Sequence, residues 1–287
     1  MVNISRLLSW SKHLRARRGS KIFRQTVRMF HYHMQPFQLL LTRIYDVLSE
    51  YEAGFTYPLV ASTAKNHLRL VEMLKSYPYE IAIHGYKHVR YQHLTYQQQD
   101  RDFFKAIRTF KELKIPYNGF RAPYDNYTQD TIELVEKYKF KWDIGIGYRP
   151  EYRKNNTIFN APLQNGKLSS YSCVPLNVWS DDSMIDRYKM SAKQIGKTLI
   201  SQLKHAKSKQ GVLMFDLHPI RLGQKQYVSC LIPFLEYALK INAWLPTVSE
   251  AIEYWNKHQK WKHDAPVCCL LTGDIDNFTF WDYLRRF

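Results

Sequence analysis

The chain has 287 residues, 45% of them hydrophobic, with 42 lysines and arginines against 25 aspartates and glutamates, for a formal net charge of +17. No run of about 18 apolar residues occurs, which excludes a membrane-spanning helix. The basic balance favours anionic partners such as nucleic acid, acidic glycans or anionic lipid. Residues 1–28 carry Arg6, Lys12, Arg15, Arg17, Arg18, Lys21, Arg24 and Arg28 and no acid. They read as a basic helical extension ahead of a single domain over 29–287. The N-terminal residues show neither an apolar h-region nor a small-residue cleavage site, so a secretory signal is not expected. Cys173, Cys230, Cys268 and Cys269 form no CxxC pair and read as free thiols of a reducing compartment. These features predict a cytoplasmic protein, peripheral to a membrane.

Residues 37–51 (FQLLLTRIYDVLSEY) repeat their apolar positions near 3.6 and predict a helix. A strand follows at 54–62, a helix at 66–76 and a short strand at 79–86. Residues 94–114 predict a long amphipathic helix with Thr95 as its N-cap. Next come a strand at 117–121, a helix at 128–138 and a strand at 141–146. The stretch 151–180 is polar, with loops and a short strand. A helix at 191–208, a strand at 211–219 and a helix at 227–241 follow. WLPTVSEAIEYWNKH reads as a short strand entering a helix, and the apolar run from Val267 to Leu271 as the last strand. Such alternation predicts a parallel sheet, open or closed into a barrel. Folds of that kind collect chemistry at the C-terminal ends of their strands.

Polar clusters sit at those ends: HGYKH after EIAI, RAPY after YNGF, WDIG after KF, DLHP after VLMF, and GDID after VCCLLT. His84 and His88 are four apart and reach one metal ion if the segment turns helical. With 11 histidines in the chain, chance also produces that spacing. Arg121 at a strand end suits a carboxylate partner, or a surface salt bridge. His218 suits general acid–base work near neutral pH, or a core hydrogen bond. Asp216 shares its side of the strand, either to orient it or as a turn residue. Asp274 and Asp276, two apart, point to one side of an extended strand.

The order HGYKH, long amphipathic helix, FRAPY, helix and KWD, then LHP resembles the polysaccharide deacetylase family (the NodB-homology domain, carbohydrate esterase family 4) over about residues 37–256. The resemblance implies a distorted, partly open (β/α) barrel. It also implies hydrolysis of N- or O-acetyl groups on sugars, with a divalent metal held by one Asp and two His. It casts His84 and His88 as metal ligands and Arg121 as the arginine that orients the base. Asp143 would brace Arg121, and His218 would be the catalytic acid. Leu217 would lie beside the acetyl methyl pocket, with Trp142 on the substrate side and a backbone N–H near Tyr124 for the oxyanion.

One departure matters. The family opens on a strand ending in paired aspartates, where this chain has RMFHYHMQP, residues 28–36, without a carboxylate. LLTGDID near the C-terminus has the missing form. The expectation is therefore a circular permutation in which the first strand is supplied by the C-terminus. Asp274 is then the base and Asp276 the metal ligand, roles the two can exchange. His31 and His33 are alternative ligands if residues 28–36 are extended. Zinc is the first choice of metal, though two histidines and an aspartate also suit cobalt, nickel or iron. The implied partner is an anionic glycan or lipid-linked sugar, with contact to an anionic membrane surface and no nucleic acid. Two other readings stand: an amide hydrolase acting on a non-sugar C–N bond, and a non-catalytic glycan-binding relative.

Overall fold

The computed structural model describes residues 17–146, 155–175 and 180–285, and side chains from Ile22 onward. Helices α1 (Arg17–Tyr32) and α2 (Phe37–Glu50) precede β1 (Thr56–Leu59). Then come α3 (Ala61–Asn66), α4 (Leu68–Ser76), β2 (Glu80–Ile83), α5 (Tyr96–Glu112), β3 (Gly119–Phe120), α6 (Gln129–Lys137) and β4 (Trp142–Asp143). After β5 (Phe159–Pro162) and β6 (Leu168–Cys173) the chain runs through α7 (Ala192–Ser208), β7 (Val212–Asp216) and α8 (Pro219–Leu222). It ends with α9 (Leu231–Lys240), α10 (Val248–His258), β8 (Cys268–Thr272) and α11 (Phe280–Leu284). No helix among the described residues is long and apolar enough to cross a membrane.

The eight strands form one curled sheet in the order β5-β6-β4-β3-β2-β1-β8-β7. Every pairing is parallel except β5–β6. The expected barrel is thus a half-barrel with open edges, drawn together where the Val212 N–H donates to the Asn156 carbonyl at 2.7 Å. The C-terminal strand is no tail. It lies between β1 and β7 and pairs with β7 over five residues, Val212↔Cys268 to Asp216↔Thr272.

Helix starts follow local sequence. Thr95, Thr128, Ser191, Thr247 and Thr279 each close a capping box at the start of α5, α6, α7, α10 and α11. Each box satisfies backbone N–H groups that the first turn leaves unpaired. The stretch 54–62 is strand only to Leu59, because Ala61–Asn66 turns into α3. Residues 28–36 are not extended. They form the last turn of α1 and the bend after it.

Alternation along the strands separates two cores. Tyr57, Leu59, Ile83, Phe120, Phe215, Leu217, Cys269 and Leu271 face a layer that includes α2, α5, α6, α7 and α9. Ala82, Trp142, Val212, Met214, Cys268 and Leu270 face inward against Val248, Ala251 and Ile252 of α10. The inner positions continue upward along the strands as His84, Arg121, Asp216, Asp274 and Asp276. Helix α10 with Trp142 therefore floors the half-barrel, and the polar groups form the next layer.

Candidate active site

Strand register brings the polar groups together. A Cβ on Gly273 would lie 2.0 Å from the Leu217 carbonyl oxygen, so only glycine lets the exits of β7 and β8 approach this closely. The Leu217 N–H donates to the Thr272 carbonyl at 2.7 Å and fixes that approach. Asp216, His218 and Asp274 each offer one donor atom, all within 4.8 Å of one another.

Arg121 is fully buried at the centre of three carboxylates. Its Nε and one terminal nitrogen donate to Asp125 at 2.8 and 2.9 Å. The other terminal nitrogen donates to Asp216 at 3.0 Å and Asp274 at 3.2 Å. Burial alone would favour the neutral form, but Asp125, Asp216 and Asp274 outweigh it and keep the guanidinium charged. Burial raises Asp274 to about 7, against the opposing pull of Arg121 and His84.

Beside them lies a second group. His84, His88 and Asp276 each present one ligand atom within 4.8 Å of the others. His88 Nε2 is 3.2 Å and His84 Nε2 3.5 Å from Asp276 Oδ1. His84 Nδ1 lies 2.9 Å from the Arg121 carbonyl oxygen, which can only accept, so Nδ1 carries the hydrogen. The buried Nε2 then makes no hydrogen bond and faces Asp274 at 3.3 Å as well as Asp276. A lone pair aimed at two carboxylates requires a positive charge between them. Accordingly, although burial pulls His84 down, Asp274 and Asp276 raise its affinity for a proton. The donor set suits a divalent ion equally well, and the Nδ1–H···O=C bond is the support that metal-bound histidines use.

His218 faces the same cavity. Its Nδ1 donates to Asp181 at 2.7 Å, and Asp216 lies 3.8 Å away. Burial would lower His218, but Asp216 and Asp181 raise it to about 10. Burial lifts Asp181 to about 6. The cavity, of about 450 Å³, is also lined by Arg28, Arg90, Tyr124, Ile220 and Tyr283.

Some sequence-predicted residues lie elsewhere. Asp143 does not touch Arg121. It pairs in register with Phe120, on the helix-covered face, while Arg121 points inward. Asp143 instead accepts from the Tyr127 hydroxyl at 2.6 Å and from the N–H groups of Gly145 and Ile146. Its bracing role falls to Asp125. Leu217 has the same outward parity and is fully buried in the main core, so it does not line the cavity; Ile220 does. Trp142 points inward but lies in the floor, where its Nε1–H donates to Ser249 at 2.8 Å. A Cβ on Gly119 would meet its ring at 2.0 Å. Tyr124 sits at the rim with φ +62°, its ring 4.2 Å from that of His88. His31 is exposed and His33 half-buried, both outside the cluster.

Asp125 and Asp181 were not singled out from sequence. Left-handed backbone at Tyr124 and Asp125 turns the Asp125 carboxylate back onto Arg121. The signal was the four-residue step from Arg121 to Asp125 in RAPYD. Asp181, in WSDDS, belongs to a stretch without apolar periodicity, and nothing local marked it.

A curled parallel sheet with its polar groups at the C-terminal strand ends places the chain among the α/β half-barrels. Residues 32–142 match the family model for polysaccharide deacetylase. Among solved structures, the chain is similar to a protein from Mycobacterium smegmatis described as a polysaccharide deacetylase, with a TM-score of 0.65 at 16% identity over 78% of this chain and 79% of that one. It is similar to an allantoinase with a TM-score of 0.66 at 18% identity, over 82% and 77%. It is also similar to a carbohydrate esterase family 4 pseudoenzyme from Bacillus anthracis, with a TM-score of 0.56 at 13% identity over 82% and 66%. No curated protein sequence matches the chain. The match over residues 32–142 and the shared fold make this part of the chain similar to the polysaccharide deacetylase family.

Proposed function

We propose that the chain is a metal-dependent hydrolase that removes an N- or O-acetyl group from a sugar of a glycan. The divalent ion, zinc first, is held by Asp276, His84 and His88. The observation that carries this reading is that His88, Asp276, Asp274 and His218 line one cavity, with buried His84 in ligand distance of Asp276 and buried Arg121 bonded to Asp274.

A divalent ion bound there lowers the pKa of a water and polarises an acetyl carbonyl. Asp274 takes the proton from the attacking water, and Arg121 orients the carboxylate through its 3.2 Å bond. Asp125 and Asp216 hold Arg121 in place. His218, kept protonated by Asp216 and Asp181, delivers the proton to the leaving nitrogen or oxygen. An acidic substituent on the substrate would meet Arg90, which lies over the Tyr124 ring at 4.4 Å on the cavity wall. The position of GDID after a C-terminal strand supports the reading that the family's first strand has moved to the end of the chain.

The test is acetate release from N-acetylated chitooligosaccharides and from an acetylated acidic glycan, with Asp274→Asn beside the wild type. Loss of about 10²-fold or more in the variant, at unchanged melting temperature, supports the role of Asp274. A second reading is an amide hydrolase on a non-sugar C–N bond, favoured by the likeness to the allantoinase. Turnover of allantoin with no acetate release would select it. No turnover of either class, with metal supplied, would select the non-catalytic glycan-binding reading.

A further inference from the structure

Helix α1 is amphipathic in a way that its packing on the domain does not exhaust. Its inward side lies along the cavity. Gln25, Arg28 and Met29 line the wall, Arg28 Nε is 3.3 Å from Asp186, and the Tyr32 hydroxyl donates to the same carboxylate at 2.5 Å. Its outward side carries Phe23, Val27 and Phe30, which steps of four and three residues place on one stripe. Phe23 is 59% and Phe30 52% exposed, and Met34 just beyond the helix is 69% exposed. The stripe continues across the Phe30–Phe280 ring contact at 5.4 Å to Trp281, which is 54% exposed. A solvent-facing row of aromatic side chains at a cavity wall is costly unless something covers it.

Charge identifies the cover. Apart from Arg28, which faces Asp186, residues 1–27 carry seven arginines and lysines and no acid. Arg24 lies beside the apolar stripe. A strongly amphipathic helix of low overall hydrophobicity, with basic residues flanking phenylalanines, has the composition of helices that lie in the interface of an anionic bilayer. Trp281 suits the headgroup boundary. We propose that the outer face of α1, with Met34 and Trp281, docks on an anionic membrane surface, with the helix in the plane of the interface. The inner side of the same helix then holds the cavity wall within one helix diameter of the lipid headgroups. Substrate carried on a lipid would reach the site without leaving the membrane.

The experiment is co-sedimentation of the full chain with vesicles, which needs no turnover. Phosphatidylcholine alone is compared with a phosphatidylcholine and phosphatidylglycerol mixture, for the wild type, Phe23→Ser/Val27→Ser and Arg24→Glu. Phe23 and Val27 face solvent, so the double variant should keep the wild-type melting temperature. The wild type should bind the anionic vesicles at least tenfold more tightly than the neutral ones. Each variant should lose about tenfold or more, and rising salt should weaken binding. Equal binding to both vesicle types, no binding to either, or unchanged binding by the double variant would overturn the proposal. A wild-type dimer in solution that Phe23→Ser/Val27→Ser dissociates, with no vesicle binding, would assign the face to a second copy of the chain and overturn it too.

Discussion

Leu271→Ala tests whether the C-terminal strand is part of the barrel. Leu271 is 1% exposed and sits in the main core, on a strand flanked by β1 and β7. Truncation removes three carbons, worth roughly 2.4 kcal/mol of transfer free energy at about 0.8 kcal/mol each. The cavity left behind adds to this, because a strand paired on both sides cannot shift to fill it. The total should be about 3–4 kcal/mol, within the roughly 2–5 kcal/mol typical of buried leucines. For a chain of this size that corresponds to a fall in melting temperature of about 6–16 °C. Differential scanning calorimetry with the two proteins at equal concentration reads it directly. A fall below about 2 °C would mean that residues 268–272 are an appendage, and the placement of Asp274 and Asp276 in the site would fail with it.

Three further predictions follow from the charges. Asp125→Ala leaves buried Arg121 with only Asp216 and Asp274, so urea unfolding should show a loss toward the lower end of the about 3–5 kcal/mol typical of a broken buried pair, with activity reduced as Asp274 loses its orientation. Asp143 binds its proton more tightly folded (about 7) than unfolded, because burial outweighs its hydrogen bonds. Its contribution to stability is therefore full below its unfolded pKa and lost as pH rises through about 7. Asp143→Asn should remove a falling term on the order of 4 kcal/mol from the pH–stability profile across that window; a profile parallel to the wild type would refute the assignment. Asp181→Asn removes one of the two carboxylates that raise His218 to about 10, so the basic limb of the pH–rate profile should move to lower pH. An unmoved limb would separate His218 from the proton-transfer step.

Much of this site was legible because its residues occupy strand ends. His84, His88, Arg121, His218, Asp274 and Asp276 all follow apolar runs, and alternation alone puts Asp274 and Asp276 on one side. The same alternation, applied to β4, would have turned Asp143 away from Arg121, but the register between β3 and β4 is a tertiary fact that no local pattern carries. Leu217 differs: local alternation between inward Asp216 and His218 already points it outward, into the main core. Asp125 and Asp181 depend on turns, where chain direction is set by left-handed backbone or by a stretch without periodicity. The two-residue strands β3 and β4 are shorter than the stretches 117–121 and 141–146 read as strands from the sequence.

The most direct measurement is the metal content of the purified protein, wild type beside Asp276→Ala, by mass spectrometry of the metal ions. The account predicts about one divalent ion per chain in the wild type and a large loss in the variant, because Asp276 supplies the carboxylate beside His84 and His88. Equal metal in both proteins would place Asp276 outside the metal site. Absence of metal from both, after incubation with zinc, would contradict the proposed hydrolase.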